Sequence, residues 1–430
     1  MSTEWFGTLP QHGNWREVRL KRLVSSWAQK REGEEGETYI GLENIEPWTG
    51  KILPGEDGTL TLNTGGESAS IGSVFTFGDV LFSKLRPYLA KAILADRQGI
   101  CSTELLVLAP GPYIDGRFLL YCLLTPGFIE LVNSSAFGSK MPRAEWDFIG
   151  DIPIPLPPLH QQQQLAALLD RETARLDALV AAKQEQLELI AEKRRALITR
   201  AVTQGLDAKA PRRATGLQWL GEVPAHWEVV RLRFLAAVHT GIAKGRQVQG
   251  KNAMMVPYLR VANVQAGYLN LTEVEEIEIF AHELPGYALR PGDVLMNEGG
   301  DADKLGRGTV WEGQIDPCIH QNHVFAVRCH SVSPLWLATV SNADSSRFYF
   351  ESRSKQSTNL ASISSANIKE FPVVLPPIAE QGAILDYIEA ESAQLDCLSQ
   401  LTLQSLALLN EQRMALIAAA VTGKLELTTA

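Results

Sequence analysis

The densest run of metal-type ligands in this 430-residue chain is Cys318-x-His320-x-x-His323, with Cys329-His330 just beyond it. Zinc needs four donors converging on one point. The segment reads as a strand, where His320 and His323 fall on opposite faces, so ordinary strand and loop polarity is expected rather than a metal site. The carboxylate run Glu273-Val-Glu-Glu-Ile-Glu278 reads better as a solvated face than as an acid–base pair. No Gly-x-x-x-x-Gly-Lys-Ser/Thr is present to cradle ATP, and Gly50-Lys51 and Gly423-Lys424 lack both the upstream glycine and the following hydroxyl. Also missing are Gly-x-Gly-x-x-Gly after a strand, Asn/Asp-Pro-Pro-Tyr of an adenine-methylating pocket and the Gly-x-Ser-x-Gly elbow. Nothing in the sequence reads as catalytic.

What the chain does contain is a repeat. Trp5-Phe-Gly-Thr-Leu-Pro10 returns as Trp219-Leu-Gly-Glu-Val-Pro224, and Asn14-Trp15-Arg-Glu-Val-Arg-Leu20 as His226-Trp227-Glu-Val-Val-Arg-Leu232. Gly78-Asp79-Val80-Leu81 returns at 292–295 and Leu156-Pro157-Pro158 at 375–377. Leu176-Asp177 matches Leu395-Asp396, and the Ala-Leu-Ile and Ala-Val-Thr triplets at 196–203 match those at 415–422. The matches keep their order and nearly keep their spacing, so the chain is a tandem duplication of a unit of roughly 215 residues.

Each unit opens with short apolar runs among Gly and Pro, such as Ser73-Val-Phe-Thr-Phe77, Val80-Leu-Phe82 and Leu105-Leu-Val-Leu108. These predict β-strands. Residues 118–132 predict a helix pair, and Ile152-Pro-Ile-Pro-Leu-Pro-Pro158 an extended exit. From Leu159 to Thr203 there is no Gly or Pro, and Gly205 follows as a stop. The second copy repeats this from Ile378 to Thr422, interrupted only by Gly382.

About 45 helical residues span roughly 65–70 Å. Apolar residues recur at heptad steps, Leu169, Leu176, Ile190 and Leu197 in one copy and Ile388, Leu395, Leu409 and Leu416 in the other. Leu165 and Leu179, with Ile384 and Leu398, are expected on the neighbouring stripe, and Lys183 and Thr402 are polar breaks. Helices this long need partners of similar length, which predicts antiparallel pairing of the two copies; the alternative is two helices each packed on its own domain. The expected divisions are 1–158, 159–205, 206–377 and 378–424, with a tail at 425–430.

Apolar residues make up 45% of the chain and charged residues 21%, as in a globular protein, and no run of about 18 apolar residues exists to span a membrane. Cys101, Cys122, Cys318, Cys329 and Cys397 stand far apart, and the first residues lack a secretory pattern, so a reduced, cytoplasmic setting is expected. The net charge of −9 is concentrated in the first and last segments, leaving 210–375 balanced. A nucleic-acid surface needs only a local basic patch, so the balance neither excludes nor indicates DNA.

Trp219-Leu-Gly-Glu-Val-Pro-Ala-His-Trp227, the two Gly-Asp-Val-Leu motifs, Leu375-Pro-Pro-Ile-Ala-Glu-Gln381 with Leu156-Pro-Pro-Leu-His-Gln-Gln162, and the duplicated helices together resemble the specificity subunit of type I restriction–modification systems. The resemblance covers essentially the whole chain. One departure is His160-Gln161, where the family's Glu-Gln stands intact at Glu380-Gln381.

The resemblance implies an α+β fold: two tandem-repeat target recognition domains, β-rich with short helices, joined by two long antiparallel coiled-coil helices with pseudo-two-fold symmetry. It also implies that each domain reads one half of a split, asymmetric site in double-stranded DNA and that the helices dock two methyltransferase subunits. Separate motor–nuclease subunits would join them. S-adenosylmethionine, ATP and Mg would act in those partners, leaving this chain non-catalytic and without a cofactor.

Repeats with a common role should share scaffold and differ in readers. The candidate readers are therefore polar or basic and loop-borne: Lys84, Arg86, Tyr88 and Lys91, then Ser139, Lys140 and Arg143, in copy one. In copy two they are Asn297, Lys304 and Arg307, then Arg353, Lys355, Gln356 and Asn359. The rival reading is a scaffold that binds other proteins through two β-rich domains on a coiled-coil rod.

Overall fold

The computed structural model describes the chain except residues 1–4, 11–13, 27–28, 56–57, 62–70, 246–251, 301–303, 357–360 and 426–430. The chain divides into two compact units, Met1–Gln184 with Leu403–Ala430, and Glu185–Thr402. This division cuts across the sequential one: each unit holds one β-rich lobe and a length of both long helices.

The first lobe is built on a four-stranded sheet in the order Val24–Ser25, Leu105–Pro110, Val80–Ser83, Ala92–Leu94. The second repeats it as Ala236–Thr240, Val324–Cys329, Asp293–Asn297, Gly308–Val310. A two-stranded ribbon closes each lobe before its long helix, with Arg19 opposite Pro153 in one and Arg231 opposite Pro372 in the other. The two lobes thus agree in strand order and in register. Further sheets, Lys30–Glu32 with Ile71–Phe75, Gly99–Ser102 and Tyr39–Ile40 in lobe one, and Glu275–Phe280 with Ala253–Leu259 and Ile319–His320 in lobe two, complete the β layers. The expected helix pair is Gly116–Leu123 and Pro126–Ser134, the first capped by Asp115 accepting from the Arg117 and Phe118 amides.

The long helices run Leu159–Gln204 and Ile378–Val421, about 69 and 66 Å at 1.5 Å per residue. In the first unit Leu165, Ala166 and Leu169 share a core with Ile417, Ala420 and Val421, so the start of one helix lies beside the end of the other. In the second unit Ala201 and Val202 share a core with Ile384 and Ile388. The helices pair antiparallel in both. Among the described residues no helix is long and apolar enough to cross a membrane.

Leu169, Leu176, Ile190, Ile388 and Leu395 are buried in the seam, and Leu197, Leu409 and Leu416 are half-buried. Leu179 and Leu398 correct the expected pattern: they are 45% and 41% exposed. A second inward-facing row lies four residues after each heptad position: Thr173, Ala201, Arg413 and Ala420 are buried, and Val180, Leu187, Arg194, Ser392, Ser399 and Leu406 are half-buried. Polar members of that row hid it from a reading based on apolar side chains.

Candidate nucleic-acid interface

The Gly-Asp-Val-Leu motif launches the central strand of each lobe. Gly78 and Gly292 adopt φ of +89° and +92°, a turn that a side chain would strain. Asp79 closes its turn by accepting from the Thr76 amide at 2.7 Å and hydroxyl at 3.0 Å. Asp293 accepts from the Arg290 amide at 2.9 Å and is also gripped by a fork from Arg328 at 2.8 and 2.7 Å. Both strands then run out to the segments where readers are expected.

In lobe one the fold unites the two predicted segments. The Arg86 amide donates to the Pro142 carbonyl at 2.7 Å, the Ala144 amide donates to the Lys84 carbonyl, and Leu85 bridges to Arg143. Tyr88, Ser139 and Lys140 are exposed, while Lys84, Arg86, Lys91 and Arg143 are half-buried. Two of these are already engaged within the lobe. Lys91 Nζ donates to the Leu42 carbonyl at 2.6 Å, and Arg143 forks onto Glu104 at 3.0 Å through both nitrogens. Those bonds, with the charges of Arg143 and Lys84, hold the Glu104 carboxyl below its ordinary range against the opposing effect of burial.

Lobe two unites its pair differently. Ala361–Ser362 pairs with Gly299–Gly300 on one side and with Lys355–Gln356 on the other. Arg353, Lys355 and Gln356 are exposed, with the Arg353 guanidinium 5.9 Å from the Tyr349 ring centre. Lys304 and Arg307 are half-buried, and Arg307 donates to Gln265 at 2.9 Å. Asn297 needs correction. It has no exposed surface, donates to the Val264 carbonyl at 3.0 Å and keeps a buried Oδ1 without a partner, because it is the last residue of an interior strand rather than part of the loop. Asn359 lies outside the described residues.

His320 is buried with Nδ1 2.6 Å from the Val324 carbonyl oxygen, and His323 faces Glu298 at 3.4 Å, so the two rings have separate partners. Burial pulls the His320 ring below its ordinary value and pushes Glu298 up. Among the described residues no cluster of His, Cys, Asp or Glu is placed to hold a metal.

The structure also corrects the departure noted at the helix starts. Gln162 and Gln381 occupy the same place, each donating at 2.8 Å to the proline carbonyl five residues earlier, Pro157 or Pro376. The glutamine is present in both copies, and only Gln161 in place of Glu380 differs. Glu380 meets His226 at 2.8 Å; their counterparts Gln161 and Asn14 are both uncharged.

Sequence reasoning missed Arg413. Only 6% exposed, it donates to Asp177 at 3.1 Å and to the Trp48 and Thr49 carbonyls at 2.8 and 3.0 Å. The signal lay in the 219-residue repeat, which makes Arg194 and Asp396 the counterparts of Arg413 and Asp177; that pair is joined too.

Residues 49–189 match the family model described as the type I restriction modification DNA specificity domain. The chain is 24% identical over 325 residues to the type I restriction enzyme EcoKI specificity subunit of Escherichia coli K12, covering 74% of this chain and 68% of that one. Against the EcoDI specificity subunit of Escherichia coli it is 24% identical over 217 residues, 50% of this chain and 45% of that protein. In fold it resembles a chain from a solved type I restriction–modification complex, with TM-score 0.73, 19% identity and coverage of 97% and 100%. The HsdS subunit of Thermoanaerobacter tengcongensis gives TM-score 0.51 at 18% identity, covering 98% and 100%. The chain is thus similar to type I restriction–modification specificity subunits, in sequence along three quarters of its length and in fold along nearly all of it. Those similarities support a role in DNA sequence specificity. For a specificity subunit, the pairing of two distant loops in each lobe is the feature of interest, since base edges are read by side chains that a scaffold presents together.

Proposed function

We propose that this specificity subunit reads a bipartite, asymmetric DNA site, one half with each lobe, and docks two methyltransferase subunits on its long helices. Motor–nuclease subunits complete the assembly. S-adenosylmethionine, ATP and Mg act in those partners, and this chain contributes recognition without catalysis.

The observation that carries the reading is a contrast within the repeat. Strand order and ribbon register agree between lobes, while the surface loops do not: Lys140 sits in a tight loop bridged by Phe137 and Arg143, whereas Lys355 and Gln356 sit on a small added sheet. Equal scaffolds with unequal polar loops suit the reading of two unlike half-sites, because specificity needs hydrogen-bonding groups at base edges and not a reacting group. For docking, the helices expose leucines: Leu179, Leu403 and Leu408 in the first unit, Leu189, Leu398 and Leu401 in the second.

Selection from a random duplex pool by the full chain, alone and with a methyltransferase partner, tests this. Two blocks of preferred bases separated by an unconstrained spacer are expected. A single block, or no preference in either preparation, would overturn the reading in favour of a protein scaffold.

A further inference from the structure

We infer that Arg413, on the second long helix, is a positioning residue for the DNA-reading turn of the first lobe. The inference rests on the proposed reading of DNA by that lobe. Arg413 does not face a ligand: its donors are taken up by Asp177 of the other helix and by the Trp48 and Thr49 carbonyls of the lobe. Lys51 reinforces the joint with Nζ 2.7 Å from the second Asp177 oxygen. The hairpin around Trp48 is thereby fastened to the helix pair at both its tip and its returning arm.

From there the connection continues into the turn that carries Arg86 and Tyr88. The Trp48 amide donates to the Ala90 carbonyl at 3.1 Å, and Lys91 Nζ reaches the Leu42 carbonyl of the same hairpin at 2.6 Å. Among the described residues, four non-glycine residues adopt left-handed φ, and three lie on this path: Trp48 at +67°, Arg86 at +50° and Ala90 at +47°. Such backbones persist only where their surroundings hold them. A guanidinium forked onto the Trp48 and Thr49 carbonyls supplies that hold, since charge-assisted hydrogen bonds are the strong ones. In the second unit Arg194 bonds Asp396 and the Ser392 carbonyl, both on a long helix, so it provides a matched control.

The test uses the full chain with Arg413→Ala, Arg413→Lys and Arg194→Ala. Hydrogen exchange at amides 46–51 and 86–91 should quicken at least about tenfold in Arg413→Ala, less in Arg413→Lys, and not in Arg194→Ala. In duplex selection, Arg413→Ala should relax base preference about tenfold in one half-site and leave the other unchanged. Quickening confined to 46–51 would overturn the relay to the reading turn. Loss of protection throughout the first unit in both Arg413 variants would make the residue a general stabiliser and overturn its positioning role. Altered exchange at both segments with unchanged preference would overturn its part in recognition. Absence of a bipartite preference in the unmodified chain would instead count against the proposed function, while the exchange result would still decide the mechanical link.

Discussion

Gly205, which follows the last residue of the first long helix, lies against Trp227 of the second lobe: a Cβ added there would sit 3.1 Å from Cζ2 of the indole. Its counterpart Gly423, after the second helix, lies against Pro10 and Trp15 of the first lobe, where a Cβ would sit 2.8 Å from Pro10 Cδ and 3.2 Å from Cε2 of the indole. Each helix thus ends on the tryptophan of the other copy. Both glycines are left-handed, with φ of +71° and +73°. Gly205→Ala and Gly423→Ala are each expected to cost about 1–2 kcal/mol from backbone strain alone. Residue-resolved hydrogen exchange should show the loss in the second unit for Gly205→Ala and in the first for Gly423→Ala.

Leu176 and Leu179 make a sharper test of the helix pairing than either alone. Leu176→Asp buries an unpaired carboxylate in the seam and should cost several kcal/mol, whereas exposed Leu179→Asp should change stability by less than about 1 kcal/mol. Leu395→Asp and Leu398→Asp should divide in the same way. Denaturant midpoints read both pairs, and equal losses within a pair would refute the assigned faces.

Glu104 should contribute a pH-dependent part of the first lobe's stability. Its folded carboxyl is held below the ordinary range, mainly by the bonds from Arg143, so the contribution is present above that range and is lost as pH falls through the lowered value. Glu104→Gln should flatten the acid limb of a stability–pH curve while leaving the neutral-to-basic limb parallel to the original. An unchanged acid limb would contradict the pairing.

In the second lobe, replacing exposed Arg353, Lys355 and Gln356 with alanine should weaken discrimination in one half-site and leave the other half intact. Each side chain that reads a base edge should account for about 1–3 kcal/mol of that discrimination. Asn297→Ala should behave differently. It leaves the Val264 carbonyl without its donor inside the lobe, so melting temperature should fall before any selectivity changes. Equal relaxation of both half-sites by the triple variant would show that the loop does not read separately.

The sequence by itself determined the duplication, the β-rich lobes and the long helices. These rest on local or periodic signals: Gly-Asp at a left-handed turn, Pro before the helix start, an uninterrupted stretch and then Gly205 or Gly423. It also determined which heptad row is buried, because Leu169, Leu176, Ile388 and Leu395 repeat as apolar residues. Tertiary structure decided the rest. The second inward-facing row contains buried Thr173 and Arg413: the Thr173 hydroxyl bonds back to the Leu169 carbonyl of its own helix, while Arg413 is tolerated because its partners Asp177, Trp48 and Thr49 arrive from distant parts of the chain. Asn297 looked like a loop reader because it borders glycines, yet the strand carries it one residue too deep to meet solvent. The joining of residues 84–86 to 142–144, and of 299–300 to 361–362, depends on backbone pairing across long sequence separations, which no local pattern encodes. Arg413 and Arg194 occupy the same place in the repeat, but only the fold brings the Trp48 and Thr49 carbonyls to Arg413, because a hydrogen-bond partner is chosen by three-dimensional proximity and not by residue type.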